Sequence, residues 1–276
     1  MKIAVCLSGQ IRYWDSTYPF FEYWNNLFKD VEYTFFVSTW QNNDSWYEQP
    51  KFGDIQIDDV DFSKYEFITR YSKHNPDDVN INHSKNAAKL PNTPYMTYLY
   101  NKVHGLRNSY EKENNMEFDF VIQTRNDIVF GHQLLSKMIF LWNTNSYILN
   151  NSIFSPSGSK LKIGGNKKDE FLLVVNNDNL FFGNPKVMNH FKNMYDFLIY
   201  DSFNKHTHYL QAEYFHRNKI MHFSTGDNPY LLRYGKTIKR HRPTPDSLRR
   251  IMEEKGIEWF YNTRIEDVSK EYWDYG

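Results

Sequence analysis

Three polar residues interrupt an apolar run in the middle of the chain. The segment VIQTRNDIVF (121–130) reads as a buried strand that is broken by Arg125, Asn126 and Asp127. An ordinary strand end would let Arg125 and Asp127 pair with each other in solvent. A ligand site is the alternative: Asp127 and, more weakly, Asn126 would supply oxygens to Mg²⁺ or Mn²⁺, and Arg125 would bind a phosphate. Three polar groups inside an apolar run favour the ligand site.

A second candidate site follows the N-terminal apolar run KIAVCLS (2–8). The turn after this run contains Ser8, Gly9, Gln10 and Arg12. Gly9 permits a close approach of the backbone to a ligand, Ser8 can donate a hydrogen bond, and Arg12 can bind a phosphate through two N–H groups. The turn matches neither the P-loop pattern nor the GxGxxG pattern. We expect these four residues to contact a ligand, and a plain strand-to-helix turn is the alternative.

Two carboxylates further along the chain are candidates for a catalytic base. Asp178 lies in the block NNDN (176–179) between two apolar stretches, where it could orient or deprotonate an acceptor hydroxyl. A hairpin turn is the alternative, because Asn and Asp favour turns. Glu213 lies in a predicted short helix, HYLQAEYFHRN (208–218), where an exposed helical glutamate is the alternative.

The last third of the chain adds histidines and a basic cluster. His222 and His241 could complete the shell of a bound cation, although no HExxH-type spacing is present. The segment RYGKTIKRHRP (233–243) could hold a diphosphate or form a solvated loop. Its candidate ligands are Arg233, Lys236 and Arg240.

Composition excludes several other classes of site and partner. Cys6 is the only cysteine, so an internal disulfide and a multi-cysteine zinc site are excluded, and its apolar surroundings predict a buried structural thiol. A GxSxG elbow and a kinase signature are absent. The net charge of zero gives no signature of nucleic-acid or membrane binding. Because the N-terminal apolar run is too short for a signal peptide or a membrane span, we expect a cytoplasmic protein. The oligomeric state stays open.

Alternating strands and helices are predicted to position these residues. The predicted strands are 2–8, 31–40, 65–72, 118–124, 146–150 and 152–156, with one or two more within 171–183; the predicted helices are 17–29, 95–110, 187–198 and 245–255. This alternation predicts an α/β fold with a mostly parallel sheet. In such a sheet, ligands bind at the carboxyl ends of the strands.

The chain is predicted to form one main domain with an extension. Residues 1–232 would be the main α/β domain, and residues 233–276 a basic segment and helical extension that packs on it. Two polar stretches, 41–64 and 73–94, read as long surface loops. Loops of this length are often functional.

Three segments together resemble a known family. KIAVCLSGQIRYW, VIQTRNDIVF and NDNLFFGNPKVM occur in an order and spacing similar to those of glycosyltransferase-like proteins with the GT-A fold, found in bacterial surface-polysaccharide loci and in large viruses and phages. The resemblance covers about residues 1–220. It implies that residues 1–232 form a single GT-A-like, Rossmann-like nucleotide-sugar-binding and catalytic domain, with a central sheet flanked by helices. By this resemblance, Ser8, Gly9 and Arg12 would line the nucleotide site.

The resemblance also implies a function. A nucleotide-sugar such as a UDP- or GDP-sugar would bind at the strand ends, with Mn²⁺ or Mg²⁺ at its diphosphate and a glycan or other hydroxyl compound as acceptor. Asp127 would correspond to the last carboxylate of the family's DxD motif, whose first acidic position is Arg125 here. A nucleotidyltransferase and a catalytically degenerate module that binds a glycan or a partner are the competing interpretations.

Overall fold

The computed structural model describes the chain in several separate ranges. The residues it describes are 1–41, 58–79, 93–129, 136, 140, 150–155, 158–163, 171–176, 180–200, 207–224, 230–231 and 245–262. The central parts of both predicted loops, 42–57 and 80–92, lie outside these residues.

Both strands and helices form in the described parts of the chain. The strands are β1 (Lys2–Ser8), β2 (Glu32–Trp40), β3 (Ile68–His74), β4 (Phe120–Thr124), β5 (Ile128–Val129), β6 (Ser152–Ser155), β7 (Gly158–Ile163), β8 (Phe171–Asn176), β9 (Leu180–Gly183), β10 (Met221–Ser224) and β11 (Tyr230–Leu231). The helices are α1 (Trp14–Leu27), α2 (Thr93–Glu113), α3 (Pro185–Met188), α4 (His190–Tyr200), α5 (Thr207–Arg217), α6 (Pro245–Lys255) and α7 (Ile257–Asn262).

A seven-stranded sheet forms the centre of the molecule, with the order β10-β6-β9-β4-β1-β2-β3. Four neighbouring pairs in this order are parallel, and β9 is antiparallel to both of its neighbours. Two short antiparallel pairs, β5 with β11 and β7 with β8, stand beside it. The predicted α/β class and mostly parallel sheet are confirmed, and the architecture is consistent with a GT-A-like, Rossmann-like domain.

Strand β1 is buried on both faces, as its unbroken apolar run predicts. Ile3, Val5 and Leu7 belong to one buried cluster, which also contains core residues of α1 and α6. Ala4 and Cys6 belong to a second cluster, together with core residues of α2 and α4. Alternate residues of one strand therefore enter two different cores, which places the sheet between two helical layers.

Helix α6 packs against α1. Its buried residues Leu248 and Ile251 lie in the same apolar cluster as Trp14 of α1. The helix begins at Pro245 and ends one residue before Gly256, whose positive φ of 83° suits a helix terminus. The predicted helix was placed correctly, whereas the predicted boundary between residues 232 and 233 stays a prediction.

Several predicted boundaries differ from those of the structure. Helix α1 begins at Trp14, three residues earlier than predicted, because the Asp58 carboxylate accepts a hydrogen bond from the backbone N–H of Trp14. The third strand begins at Ile68 instead of residue 65, because a turn precedes it in which the Ile68 N–H donates to the Tyr65 carbonyl. The proposed strand 146–150 lies outside the described residues except at position 150. Strands β5, β7, β10 and β11 are additions to the prediction, whereas β8 and β9 are the strands expected within residues 171–183.

Candidate functional site

The sheet has a topological switch point between β1 and β4. The chain continues from β1 to β2 and β3 on one side of β1, and it later adds β4 on the other side of β1. Both neighbours are parallel to β1, so the carboxyl ends of β1 and β4 lie side by side. A crevice opens at such a point, and it is the usual ligand site of an open α/β sheet. We call residues 8–12 and 125–127 together the β1–β4 crevice.

The turn after β1 depends on a glycine. Gly9 has a φ of +130°, a conformation that residues with a side chain rarely adopt. Its backbone N–H donates to the Ser38 carbonyl at the end of β2, at 3.2 Å. A Cβ atom at Gly9 would lie 3.9 Å from Cγ of Arg125. This is an ordinary van der Waals distance, so the turn needs glycine for its backbone conformation, and Gly9 lies next to Arg125 across the crevice.

Three charged side chains meet inside the crevice. The Arg125 guanidinium binds both oxygens of Asp127, with Nε 2.8 Å from Oδ1 and Nη2 2.5 Å from Oδ2. Nη1 of Arg12 lies 3.7 Å from the same Oδ2. The exposed fractions of the side chains are 1% for Asp127, 9% for Arg12 and 21% for Arg125. The Arg125–Asp127 pair of the alternative interpretation therefore forms, but its carboxylate is buried and not in solvent.

This trio is electropositive. Two guanidinium groups and one carboxylate leave one net positive charge on Arg12, Arg125 and Asp127 together. Arg125 is the most open of the three, so it is the group that a bound anion would contact first. Its planar fork suits two oxygens of a phosphate.

Two amides join the halves of the crevice. Asn126, 2% exposed, donates from Nδ2 to the backbone carbonyl of Arg12 at 2.6 Å. Gln123, near the end of β4, donates from Nε2 to Oγ of Ser8 at 2.7 Å. Because Ser8 accepts this bond, its own proton is available for a ligand oxygen. Gln10 accepts a hydrogen bond from Nη2 of Arg12 at 3.0 Å and so helps to orient that guanidinium.

Gln123 and Asp58 contribute to the site but are absent from the sequence-based candidates. The signal for Gln123 was a polar residue inside the apolar run FDFVIQT. Asp58 gave no local signal, since it reaches Trp14 across 44 positions of sequence. The Asp58 carboxylate accepts from the Trp14 N–H at 2.6 Å and so satisfies one of the backbone donors at the N-terminus of α1.

Behind the crevice lies a buried histidine on α2. His104 is fully buried and stacks on Phe191, with ring centroids 5.7 Å apart. Burial lowers the pKa of His104 well below its ordinary value, and the positive charge of Arg107 acts in the same direction. His104 is therefore neutral at pH 7 and adds no charge to the crevice.

The two other described candidates lie away from Asp127. His222 is on β10, and the strands β9 and β6 separate β10 from β4, a lateral distance of roughly 14 Å. Its Nε2 lies 3.2 Å from Oγ of Ser155 on the neighbouring strand. Glu213 is on α5, where it accepts from Nε of Arg217 at 3.0 Å, an ordinary helical i,i+4 pair. The structure therefore does not bring either residue to the β1–β4 crevice.

Five candidates lie outside the described residues. They are Asp178, Arg233, Lys236, Arg240 and His241. Asp178 falls between β8 and β9, which belong to different sheets. The roles assigned to these five residues stay predictions.

The family resemblance implies a divalent cation at Asp127. The surroundings of this residue do not fit such a cation. Both carboxylate oxygens already bind Arg125, and one of them also faces Arg12. A dication on Asp127 would lie about 4 Å from a guanidinium, a repulsion of about 8 kcal/mol at an effective dielectric constant of about 20. Across the part of the chain that the structure describes, no cluster of three His, Cys, Asp or Glu side chains could hold a metal ion.

Comparisons with known proteins find a likeness in fold to solved structures. The chain is similar to the crystal structure of the galactosyltransferase LgtC in complex with donor and acceptor sugar analogs. The two chains are 14% identical, and the alignment covers 78% of this chain and 70% of that chain with a TM-score of 0.40. No family model and no curated protein sequence matches. The likeness concerns the fold alone. None of the described helices is long and apolar enough to span a membrane.

Proposed function

We propose that this protein is a glycosyltransferase, which moves a sugar from a nucleoside-diphosphate donor to a hydroxyl group of an acceptor, most simply a glycan. The observation that carries the proposal is the buried Arg12–Asp127–Arg125 trio at the carboxyl ends of β1 and β4. It puts a net positive charge and an accessible guanidinium at the switch point of the sheet, which suits an anionic ligand of the size of a nucleotide.

The chemistry of sugar transfer matches this charge. The bond between the anomeric carbon and the diphosphate oxygen breaks, and its electron pair stays on the departing nucleoside diphosphate. Arg125 would stabilise the negative charge that grows on this leaving group. The Ser8 hydroxyl, whose oxygen accepts from Gln123, would donate to a ligand oxygen beside it.

The acceptor side needs a group that takes up the hydroxyl proton if the reaction inverts the sugar. Asp178 stays the candidate for this base. Glu213 is not assigned the role, because its carboxylate is paired with Arg217 on α5.

A donor-hydrolysis screen tests the proposal. The protein is incubated with UDP-, GDP-, CDP- and dTDP-sugars, with and without glycan acceptors, and release of the nucleoside diphosphate is measured. We expect release from at least one donor, and a loss of about 100-fold in Arg125→Met, the usual effect of removing one donor to a developing charge. Arg249→Met, which removes an exposed arginine of α6, is the matched control.

Two other outcomes would redirect the assignment. Release of pyrophosphate from a nucleoside triphosphate and a sugar 1-phosphate would identify a nucleotidyltransferase. Binding of glycans with no turnover of any sugar nucleotide would identify a non-catalytic binding module. Either result contradicts the proposed transfer reaction.

A further inference from the structure

The charged trio of the β1–β4 crevice combines two arginines with one carboxylate, whereas a metal-dependent site would need several oxygen ligands. We propose that the crevice binds the diphosphate of its ligand without a divalent cation, through the guanidinium of Arg125 supported by Arg12, and that Asp127 is the internal counter-ion of the two arginines. The inference rests on the proposed function only for the identity of the diphosphate compound.

The hydrogen bonds of Asp127 are the first reason. Oδ1 accepts from Nε of Arg125 at 2.8 Å, and Oδ2 accepts from Nη2 of the same residue at 2.5 Å. This two-point contact holds the guanidinium plane in the plane of the carboxylate. A cation at either oxygen would have to displace a charge-assisted hydrogen bond, and it would then face the displaced positive charge.

Burial of the carboxylate is the second reason. Mg²⁺ loses its water reluctantly and normally keeps several water ligands. The side chain of Asp127 is only 1% exposed, and Nη1 of Arg12 lies 3.7 Å from its Oδ2. The position that a second acidic ligand would need, two residues before Asp127, is itself Arg125.

The accessibility of Arg125 is the third reason. Its side chain is 21% exposed, against 9% for Arg12. On one side it meets Gly9, where a Cβ atom would come within 3.9 Å of its Cγ. The missing side chain lets a ligand approach the backbone at this point. A diphosphate in the crevice would therefore contact Arg125 directly, while Arg12 acts through Asp127, whose Oδ2 lies 3.7 Å from Nη1 of Arg12.

In the transfer reaction, the guanidinium of Arg125 would stabilise the negative charge of the leaving group in place of a divalent cation. The bond between the anomeric carbon and the diphosphate oxygen breaks with its electron pair on that oxygen, and the acceptor oxygen forms the new bond to the anomeric carbon. Arg125 donates hydrogen bonds to that oxygen and keeps its own protons, since a guanidinium does not ionise near neutral pH. The acceptor proton leaves through a separate base, so charge and atoms balance without a metal ion.

Calorimetry with two defined probes tests the inference. Titrations of inorganic pyrophosphate and of UDP are run on the full chain in EDTA and again in MnCl₂. We expect the affinity in EDTA to lie within about threefold of that in MnCl₂. Arg125→Met should weaken binding by about 10- to 100-fold, the range for losing hydrogen bonds to a charged group. The affinity of Arg125→Lys, which retains the charge but not the planar fork, should lie between those of the wild type and Arg125→Met. Arg249→Met should change affinity by less than about twofold.

Direct measurement of Mn²⁺ separates this inference from the proposed function. The electron paramagnetic resonance signal of free Mn²⁺ should decrease no further when protein is added to a solution of Mn²⁺ and UDP. A further decrease that disappears in Asp127→Asn, or binding of either probe that requires Mn²⁺, would overturn the metal-free site even if sugar transfer occurs. Metal-free binding of both probes together with no turnover of any sugar nucleotide would instead contradict the transfer reaction and leave the metal-free site standing.

Discussion

Replacing Asp127 by asparagine removes the charge that two arginines share. Asp127 is 1% exposed, and its carboxylate binds Arg125 at two points and faces Arg12 at 3.7 Å. Removing one partner of a buried ion pair costs about 3 to 5 kcal/mol, because the remaining charge stays buried without compensation. Arg125 is partly exposed and can turn toward water, so the lower end of that range applies. We expect Asp127→Asn to lower the free energy of unfolding by about 3 kcal/mol.

Equilibrium unfolding in urea, followed by tryptophan fluorescence, measures this loss. Asp246→Asn is the matched control, because Asp246 pairs with Arg249 on the surface of α6 and both side chains are about half exposed. An exposed pair of this kind contributes at most about 1 kcal/mol. The double variant Arg125→Met/Asp127→Asn should lose less than the sum of its single variants, since it removes both partners. A loss in Asp127→Asn no larger than that of the control would refute the burial argument.

Three further predictions concern backbone strain, a buried thiol and pH. Gly9→Ala should destabilise the fold by about 1 to 3 kcal/mol because Gly9 has a φ of +130°. Gly105→Ala in α2, where the added Cβ atom would meet no atom within 4 Å, should stabilise the fold by about 0.5 to 1 kcal/mol. Thermal unfolding of both variants measures the sign of each change. Burial raises the pKa of the Cys6 thiol to about 12, so iodoacetamide at pH 8 should label the unfolded chain but not the native one, and rapid native labelling would contradict the burial. The folded-state pKa of His104 is lowered below its unfolded value, so its stabilising contribution is present above about pH 6.5 and is lost as the pH falls below that value, approaching about 1.4 kcal/mol per pH unit. Unfolding curves from pH 7 to pH 5 should show this dependence in the wild type and less of it in His104→Gln; equal dependence in both proteins would exclude His104 as its source.

The location of the crevice was predictable from local sequence. Continuous apolar runs specify strands that are buried on both faces, and polar residues at the ends of such runs lie at the sheet edge where ligands bind. Ser8 is the last residue of the apolar run of β1, and Arg125 directly follows the run of β4. Two residues of opposite charge at positions 125 and 127 also made their pairing foreseeable.

The contacts across the crevice were not predictable in the same way. Gln123 reaches Ser8 only because β1 and β4 are parallel neighbours in a register that pairs Leu7 with Thr124. Such a register is a property of the assembled sheet and leaves no local pattern in either strand. The same holds for Arg12, which approaches Asp127 from 115 positions away in sequence.

The distance between His222 and Asp127 depends on strand order as well. The local sequence around His222 does not predict which strands lie between it and β4. The sheet inserts β9 and β6 there, and β9 enters in the antiparallel direction. A proposed ligand set that joins distant parts of a chain therefore needs the topology before it can be assessed.

A crystal structure of the protein with a bound nucleoside diphosphate tests the central claim most directly. We predict that the diphosphate lies at the carboxyl ends of β1 and β4. A phosphate oxygen should lie within hydrogen-bond distance of the Arg125 guanidinium, and Asp127 should still be paired with Arg125. A nucleotide bound elsewhere on the sheet, or a diphosphate that leaves Arg125 without contact, would contradict it.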